Sequence, residues 1–218
     1  MEDSQQGAVL AELAKISFDS ETLEGVLSKV ADAATVAIPG CDHASVTLSG
    51  DKGLRTAAAT DDVAREIDAR EYEMREGPCV AAVASRRVEQ IQSTEDPKEW
   101  IHFAEMMASF DVHSALGVPL GDEVPGAINA YSRAPHAFDE DAIEAAELLA
   151  LFAGVAVKNA QSFSRLSLLV GQLNEALQTR ETIGKAIGVV MEREGRSEDE
   201  AFDLLRQVSQ NSNVKLRD

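Results

Sequence analysis

The sequence predicts an α+β fold: an antiparallel sheet flanked by helices, then a long coiled-coil-like helix and a small three-helix domain. Three observations lead to this prediction. Short segments with strand periodicity alternate with helical segments up to about residue 138. A helical pattern without proline then runs from about 139 to 194. A helix-capping motif follows it. We expect residues 1–160 to form one domain and residues 161–218 to form a second.

The composition favours a folded protein, because 44% of the 218 residues are apolar. The formal net charge of −18 is unevenly distributed. Residues 1–163 carry 12 Lys and Arg against 29 Asp and Glu, whereas residues 164–218 carry 8 against 9. This acidity argues against indiscriminate binding to nucleic acid or to an anionic membrane. The nearly neutral second part can still present a local basic face.

The two cysteines, Cys41 and Cys79, are too few for a disulfide framework, so we expect a reducing, cytoplasmic compartment. The segment Met1–Gln6 is acidic and polar, which is unlike a signal peptide. No uninterrupted apolar run approaches 18 residues, so we expect no transmembrane helix.

Residues 7–38 are predicted to be helical, with Ser20 as an internal N-cap and an end at Pro39-Gly40. Polar and apolar residues alternate over Ala44–Ser49, which predicts a strand, and a turn leads into a returning strand at Leu54–Ala59. The next elements follow from composition and spacing. They are a polar helix at 61–74, a helix at 79–85 opened by Gly77-Pro78, a strand at Val88–Ile91, a helix at Pro97–Phe110, and strands at Ser114–Leu120 and Ala127–Ser132.

The long helical pattern begins with an acidic first turn, Asp139–Asp141, and a single straight helix of that length would span about 84 Å. Such a helix cannot be buried against one small domain. Four apolar residues within it have the spacing of a heptad a/d seam: Leu166, Val170, Leu173 and Leu177. We expect the seam to continue through Ile183, Ile187 and Val190, with a shift at Arg180. The seam predicts a homodimer; the alternative is a helix packed on its own domain.

The last part of the chain predicts a second helix that follows the long one. Gly195 is suited to ending the long helix, and Ser197 with Glu200 forms a capping box. Four residues then recur at helical spacing and predict one buried face: Ala201, Leu204, Leu205 and Val208. Asn211–Asn213 should end this helix, and 214–218 should begin a third.

The run ALQTRETIGKAIGVVMEREGRSEDEAFDLLRQVSQNSNVKLRD, residues 176–218, resembles an ANTAR domain, the RNA-binding module of bacterial antiterminators. The resemblance implies that a dimer binds paired hairpins in a leader transcript and prevents a terminator hairpin from forming. Single-stranded loops expose unstacked bases, and phosphates attract cations. The candidate contacts are Arg180, Lys185, Arg206, Ser209, Asn211, Asn213, Lys215 and Arg217.

Two features depart from the ANTAR pattern. The family usually has Ala-Lys-Gly where this sequence has Ala186-Ile187-Gly188, so one expected cation is missing. The third helix of the family also extends further than Asp218 would allow. The alternative interpretation is therefore a degenerate RNA module that serves only in dimerisation.

Residues 9–160 resemble a GAF domain of the kind that precedes ANTAR in bacterial regulators. The resemblance rests on EGPCVAAV (76–83), the surroundings of Trp100 and Phe103, SALGVPL (114–120) and AINAYSRAPHAFDEDAIEAAELLA (127–150). It implies that a small-molecule signal binds between the sheet and the helices. It identifies neither the signal nor a cofactor.

Candidate ligand or redox residues in this domain are Cys79, Trp100 and Phe103. Cys79 follows Gly77-Pro78, where a helix N-terminus would favour a thiolate; the alternative is a buried structural cysteine. The pair Cys41 and His43 lacks a second cluster, so we expect no metal site. No P-loop, GxGxxG or nucleophile elbow occurs, so we expect no enzyme. The sequence therefore predicts a signal-responsive RNA-binding antitermination regulator, or alternatively a small-molecule or redox-sensing GAF dimer.

Overall fold

The computed structural model describes residues 22–212 and 216, apart from the side chains at 164, 165 and 167. The chain divides into two compact units, Met1–Gln161 and Ser162–Asp218. The first unit contains a β-sheet with helices on both faces, and the second unit is helical.

A five-stranded antiparallel sheet forms the centre of the first unit, in the order β2-β1-β5-β4-β3. Its strands are β1 (His43–Gly50), β2 (Gly53–Ala59), β3 (Glu89–Ile91), β4 (Ser114–Pro119) and β5 (Gly126–Ser132). The central strands β1 and β5 are buried almost throughout, whereas the edge strand β3 has only three residues. The predicted fold class, an antiparallel sheet flanked by helices and followed by a long helix, is confirmed.

Five helices accompany this sheet in the part of the chain that the structure describes. They are α1 (Leu23–Ala37), α2 (Asp62–Met74), α3 (Pro78–Ser85), α4 (Ile101–Ala108) and α5 (Glu140–Glu194). Thr22 caps α1, because its side chain accepts a hydrogen bond from the N–H of Gly25 at 3.2 Å. The predicted cap at Ser20 and the predicted helix before it lie outside the described residues.

The two faces of the sheet differ in chemistry because successive side chains of a strand point to opposite sides. On one face, Val46 and Ile128 pack with α1 and with the first part of α5 in a wholly apolar core. On the other face, Phe103 and Met107 of α4 form a smaller apolar cluster with Tyr131. The rest of this second face, beneath α2 and α3, is polar.

Helix α4 begins at Ile101, four residues later than the sequence predicts. Trp100 immediately before it has a φ of +53°, in the left-handed region. A residue in that region cannot continue a right-handed helix, so the helix starts only after it. Local composition does not reveal this break, so the sequence places the start of the helix too early.

Gly154 lets α5 lie directly against the β4–β5 turn. A Cβ atom at this position would overlap the carbonyl oxygen of Leu120, which is a backbone atom. Lys158, one turn further along α5, pairs with Glu123 in the same turn. The end of the β4–β5 hairpin is therefore held against the backbone of α5, an approach that only glycine permits.

The second unit contains the remainder of α5 and a helix α6 (Glu198–Ser212). Gly195, at a φ of +62°, donates its N–H to the Met191 carbonyl at 3.0 Å, as expected of a helix C-terminus. The predicted capping box is present: the Ser197 N–H donates to Glu200 Oε2 at 2.9 Å, and the Glu200 N–H donates to Ser197 Oγ at 3.4 Å. The predicted third helix lies outside the described residues. No helix in the described part of the chain is long and apolar enough to cross a membrane.

Candidate functional site

The polar half of the sheet surface is built from two adjacent strands. Ser45 of β1 pairs in register with Asn129 of β5, and both are buried. Thr47 lies two residues after Ser45, and Tyr131 lies two residues after Asn129. Both therefore lie on the same face of the sheet, and both are also buried. These four side chains place hydroxyl and amide groups where a sheet normally packs apolar residues against a helix.

Asp68 of α2 lies above these groups and is fully buried. Its Oδ1 accepts hydrogen bonds from Ser45 Oγ at 2.9 Å, Asn129 Nδ2 at 3.2 Å and Tyr131 OH at 2.6 Å. Its Oδ2 accepts one from Thr56 Oγ1 at 2.7 Å. Burial raises the pKa of this carboxyl, although the four donors act in the opposite direction.

Glu71 follows one turn later on α2 and is also fully buried. Its Oε1 accepts hydrogen bonds from the N–H groups of Cys79, at 2.6 Å, and Val80, at 3.2 Å, at the start of α3. A carboxyl group thus caps the N-terminus of α3. Gly77 must be glycine here, because its φ is +146° and a Cβ would overlap the Glu71 carboxyl group. Burial, and then the charge of Asp68, raise the pKa of Glu71 well above its usual value.

Thr47 connects the parts of this arrangement. Its Oγ1 accepts hydrogen bonds from Cys79 Sγ at 3.3 Å and from Asn129 Nδ2 at 2.8 Å, and it is hydrogen-bonded to Tyr72 OH at 2.7 Å. We call the whole arrangement the buried polar cluster. Its members are Ser45, Thr47, Thr56, Asp68, Glu71, Tyr72, Cys79, Asn129 and Tyr131.

The buried polar cluster has more acceptors than donors. Glu71 Oε2 and Asn129 Oδ1 are both inaccessible to solvent, and neither has a hydrogen-bond partner among the described residues. None of the ion pairs formed within the described residues involves Asp68 or Glu71. Buried acceptors without donors, next to two buried acids without a cation, are costly unless another group satisfies them.

The raised pKa of Glu71 makes stability depend on pH in a defined direction. An acid whose pKa is raised in the folded state binds more protons folded than unfolded, so its contribution is lost as pH rises from the unfolded value of about 4.3 towards the folded value. We expect Glu71→Gln to reduce this fall in stability. The measurement is the free energy of unfolding by urea across a pH series, for wild type and variant. Parallel pH profiles would contradict the raised pKa.

The three candidates named from the sequence lie in different environments. Cys79 is 1% exposed, and burial raises the pKa of its thiol well above the usual value, which disfavours a reactive thiolate. Phe103 is fully buried in the apolar cluster of α4. Trp100 is half-buried and lines a cavity of about 550 Å³ beside β3, together with His136. Only Cys79 belongs to the buried polar cluster. The described residues contain no group of three or more His, Cys, Asp or Glu side chains that could hold a metal ion.

The second unit contains the residues that the sequence analysis predicts to contact RNA. Arg180, Lys185 and Arg206 are exposed. Lys185 Nζ pairs with Glu181 Oε1 at 2.5 Å, so its charge is partly compensated. Arg206 and Ser209 share one face of α6, because three residues correspond to nearly one helical turn.

Asn211 lies about 140° around α6 from Arg206, at roughly 100° per residue. The remaining candidates, Asn213, Lys215 and Arg217, lie outside the described residues. Ile187, which replaces the cation usual in ANTAR domains, is half-buried on α5, as are Ile183 and Val190.

Comparison with protein families assigns both units. A GAF domain model matches residues 20–158, and an ANTAR domain model matches residues 171–218. The chain belongs to the GAF domain family. The ANTAR domain follows the GAF domain along the chain, in the order that the sequence predicts. Both are regulatory domains, and together they describe a signal-sensing, RNA-binding regulator.

Solved structures resemble the GAF domain in fold. The GAF domain of a phosphoenolpyruvate-protein phosphotransferase from Coxiella burnetii has a TM-score of 0.58 at 15% identity, over 75% of this chain and 96% of that one. A free methionine-R-sulfoxide reductase from Neisseria meningitidis, solved with its substrate, has a TM-score of 0.56 at 15% identity, over 74% and 91% of the two chains. The chromophore-binding domain of a bacteriophytochrome from R. palustris has a TM-score of 0.53 at 12% identity, over 74% and 61%.

These proteins share the fold and differ in what they bind, so the likeness leaves the ligand of this GAF domain open. No curated protein matches the chain in sequence.

The sequence did not single out Asp68, Glu71 or Asn129 of this GAF domain. Both acids lie in a helix whose many charges predict a solvated surface, since Glu66, Arg70 and Glu73 surround them in sequence. A signal was nevertheless present: Ala64 and Ile67 share their face of the helix, and Asn129 interrupts an otherwise apolar strand. A polar residue on a buried face indicates a hydrogen-bonded network.

Proposed function

We propose that this protein is a signal-responsive antitermination regulator that binds paired hairpins in leader RNA as a homodimer. The observation that carries this proposal is the presence, in one chain, of a GAF domain followed by an ANTAR domain. Helix α5 supports it further, because its residues 140–161 belong to the first compact unit and its residues 162–194 to the second. We propose 160 as the domain boundary and the cytoplasm as the compartment.

The proposed RNA contacts divide by chemistry. Arg206 and Arg180 would bind phosphate through exposed guanidinium groups, with Lys185, Lys215 and Arg217 adding positive charge. Ser209, Asn211 and Asn213 would reach base edges in the hairpin loops. The charge of the region 164–218, 8 Lys and Arg against 9 Asp and Glu, allows such local contact where the strongly acidic GAF domain would repel RNA.

The proposed dimer forms through the seam on α5. Leu166, Val170, Leu173 and Leu177 occur at heptad a/d spacing on a continuous helix, and they are 49–60% exposed. A monomer rarely exposes a contiguous apolar stripe of this kind, and a second copy of the helix would cover it.

The signal, in this proposal, acts at the buried polar cluster. The cluster holds the sheet to α2 and α3, and the β4–β5 hairpin that carries Asn129 also contacts α5 at Gly154. A ligand that rearranged β5 would therefore act on the helix that leads to the ANTAR domain. We propose a regulatory role for this site and no catalysis.

The test is binding of the full chain to a labelled two-hairpin leader RNA and to a single-hairpin control, across a salt series. We expect preference for paired hairpins. Arg206→Ala should weaken binding about fivefold and reduce the salt slope by about one unit, as for loss of one phosphate contact. Leu173→Asp should give a monomer that no longer prefers paired hairpins, because a charge in an a/d seam opposes pairing.

Arg87→Ala is the matched control, since Arg87 is an exposed arginine of the GAF domain. It should leave RNA affinity unchanged. Equal affinity of the monomeric and dimeric forms for paired hairpins would contradict the proposal. So would equal binding to both RNAs.

A second candidate function is a ligand-sensing GAF dimer whose ANTAR segment serves only in dimerisation. It is favoured by Ile187, which is half-buried and cannot supply the cation usual at that position. A chain that forms a dimer but binds neither RNA in the assay above would support this function.

A further inference from the structure

The buried polar cluster carries a more specific inference about the signal, which rests on the proposed sensing function. Its two carboxyl groups, Asp68 and Glu71, lie three residues apart on α2 and are therefore neighbours on one helix face. Both are fully buried, and their partners among the described residues are hydroxyl, amide and backbone N–H groups, none of them cationic.

The buried polar cluster contains oxygen atoms that lack a hydrogen-bond donor among the described residues. Asn129 uses its Nδ2 on Ser45, Thr47 and Asp68, which leaves its Oδ1 unpaired and buried. Glu71 uses Oε1 on the start of α3, which leaves Oε2 unpaired and buried. The site has two unpaired oxygens and two acids without a cation. A ligand group that suits it would offer several N–H donors and a positive charge.

We propose that the GAF domain recognises a small molecule through a primary ammonium group, which enters the buried polar cluster and pairs with Asp68 and Glu71. An ammonium group has three donors and no acceptor, which matches the unmet acceptors Glu71 Oε2 and Asn129 Oδ1. A water molecule would supply donors without neutralising the acids. A divalent metal is disfavoured because the described residues provide no group of three ligating side chains. An anion is disfavoured because the unpaired, buried Asn129 Oδ1 can only accept hydrogen bonds and offers an anion no donor.

The titratable groups that face the site determine whether ligand binding takes up or releases protons. They are Asp68, Glu71 and Tyr72 on α2, Cys79 on α3, and Tyr131 on β5. Burial raises the pKa of Glu71 and of Asp68, which shifts both acids towards their protonated forms. An ammonium ion stabilises the carboxylate form, so its binding releases a proton from the acid to the solvent.

The first measurement is thermal unfolding of the full chain with methylammonium, ammonium, potassium or methanol at equal concentration and ionic strength. A ligand of two heavy atoms is limited to a Kd of about 10 mM or weaker, so concentrations up to about 50 mM are needed. We expect methylammonium to raise Tm by about 2–4 °C near saturation. Potassium and methanol, which lack either the donors or the charge, should not raise it. A larger effect of methylammonium than of ammonium would identify an organic amine; the reverse would identify free ammonium.

Isothermal titration in two buffers of different ionisation enthalpy measures the released proton directly. The observed heat should differ between the buffers when methylammonium is added. Glu71→Gln, an isosteric change, should abolish both the Tm shift and the buffer dependence. Glu73→Gln is the matched control, because Glu73 lies on the same helix with its side chain 70% exposed, and it should preserve both effects.

Several outcomes would overturn the inference. They are an equal Tm shift with potassium, a shift that survives Glu71→Gln in a folded variant, and no shift with either ammonium compound. In each of these cases, preference for paired hairpins in the RNA assay would leave the proposed function standing. Absence of that preference, with amine binding intact, would contradict the RNA-binding proposal alone.

Discussion

Asp68→Ala should destabilise the GAF domain by about 2–4 kcal/mol. Four donors on Ser45, Thr56, Asn129 and Tyr131 lose a shared acceptor, and each buried group left unpaired costs about 1–3 kcal/mol. Ser45, Thr56 and Asn129 keep other hydrogen-bond partners. The Tyr131 hydroxyl would keep no hydrogen-bond partner among the described residues. Removing Asp68 also removes the cost of burying its carboxyl group. The expected destabilisation is therefore smaller than the sum of the costs of the lost hydrogen bonds.

Urea unfolding followed by tryptophan fluorescence measures this effect, because the only tryptophan of the chain, Trp100, lies in the GAF domain. Glu73→Ala on the same helix is the control and should change stability by less than about 0.5 kcal/mol, as an exposed substitution. A stability of Asp68→Ala equal to wild type would show that the hydrogen bonds to Asp68 do not organise the site.

Gly154→Ala should destabilise the protein by about 1–3 kcal/mol, although alanine is the better helix former by about 1 kcal/mol. The new methyl group would overlap the Leu120 carbonyl oxygen, and a backbone atom in a strand-to-strand turn cannot move aside as a flexible side chain does. Either α5 or the β4–β5 hairpin must shift. Thermal unfolding by circular dichroism gives the change in Tm.

Gly171→Ala provides a matched control on the same helix. A Cβ at Gly171 meets no atom within 4 Å in the described part of the chain. This substitution should therefore be neutral or stabilise the protein by up to about 1 kcal/mol, through helix propensity alone. If the two alanine variants had the same stability, the contact between α5 and Leu120 would not be a packing constraint.

The fold was predictable because its patterns are local. Strand alternation in β1, the turn composition before β5 and the capping box at Ser197 can each be recognised within about ten residues. Both strands and the capping box are confirmed. The start of α4 was not predictable in this way. Trp100 adopts a left-handed conformation, which local propensity does not favour for a bulky residue.

The candidate site was less predictable, because it is assembled from residues far apart in sequence. Asn129 reaches Asp68 across 61 positions, and Thr47 reaches Asn129 across 82. The place of Cys79 after Gly77-Pro78 directed attention to this residue, which does belong to the cluster, but the acids on α2 have the sequence signature of a solvated surface. Burial of those acids depends on the packing of α2 onto the sheet, which charge patterning alone does not reveal.

The burial of both native thiols has a practical consequence for measuring motion in this protein. Cys41 is 9% exposed, with burial raising its pKa to about 12, and Cys79 is 1% exposed. Thiol-reactive labels attack the thiolate at accessible positions, so both native cysteines should react slowly while the protein is folded. A single cysteine introduced on the exposed surface of α5 would then accept a spin label or fluorophore selectively, with the native cysteines left in place. Distances between labels in two copies of the chain would report directly how the helices pair.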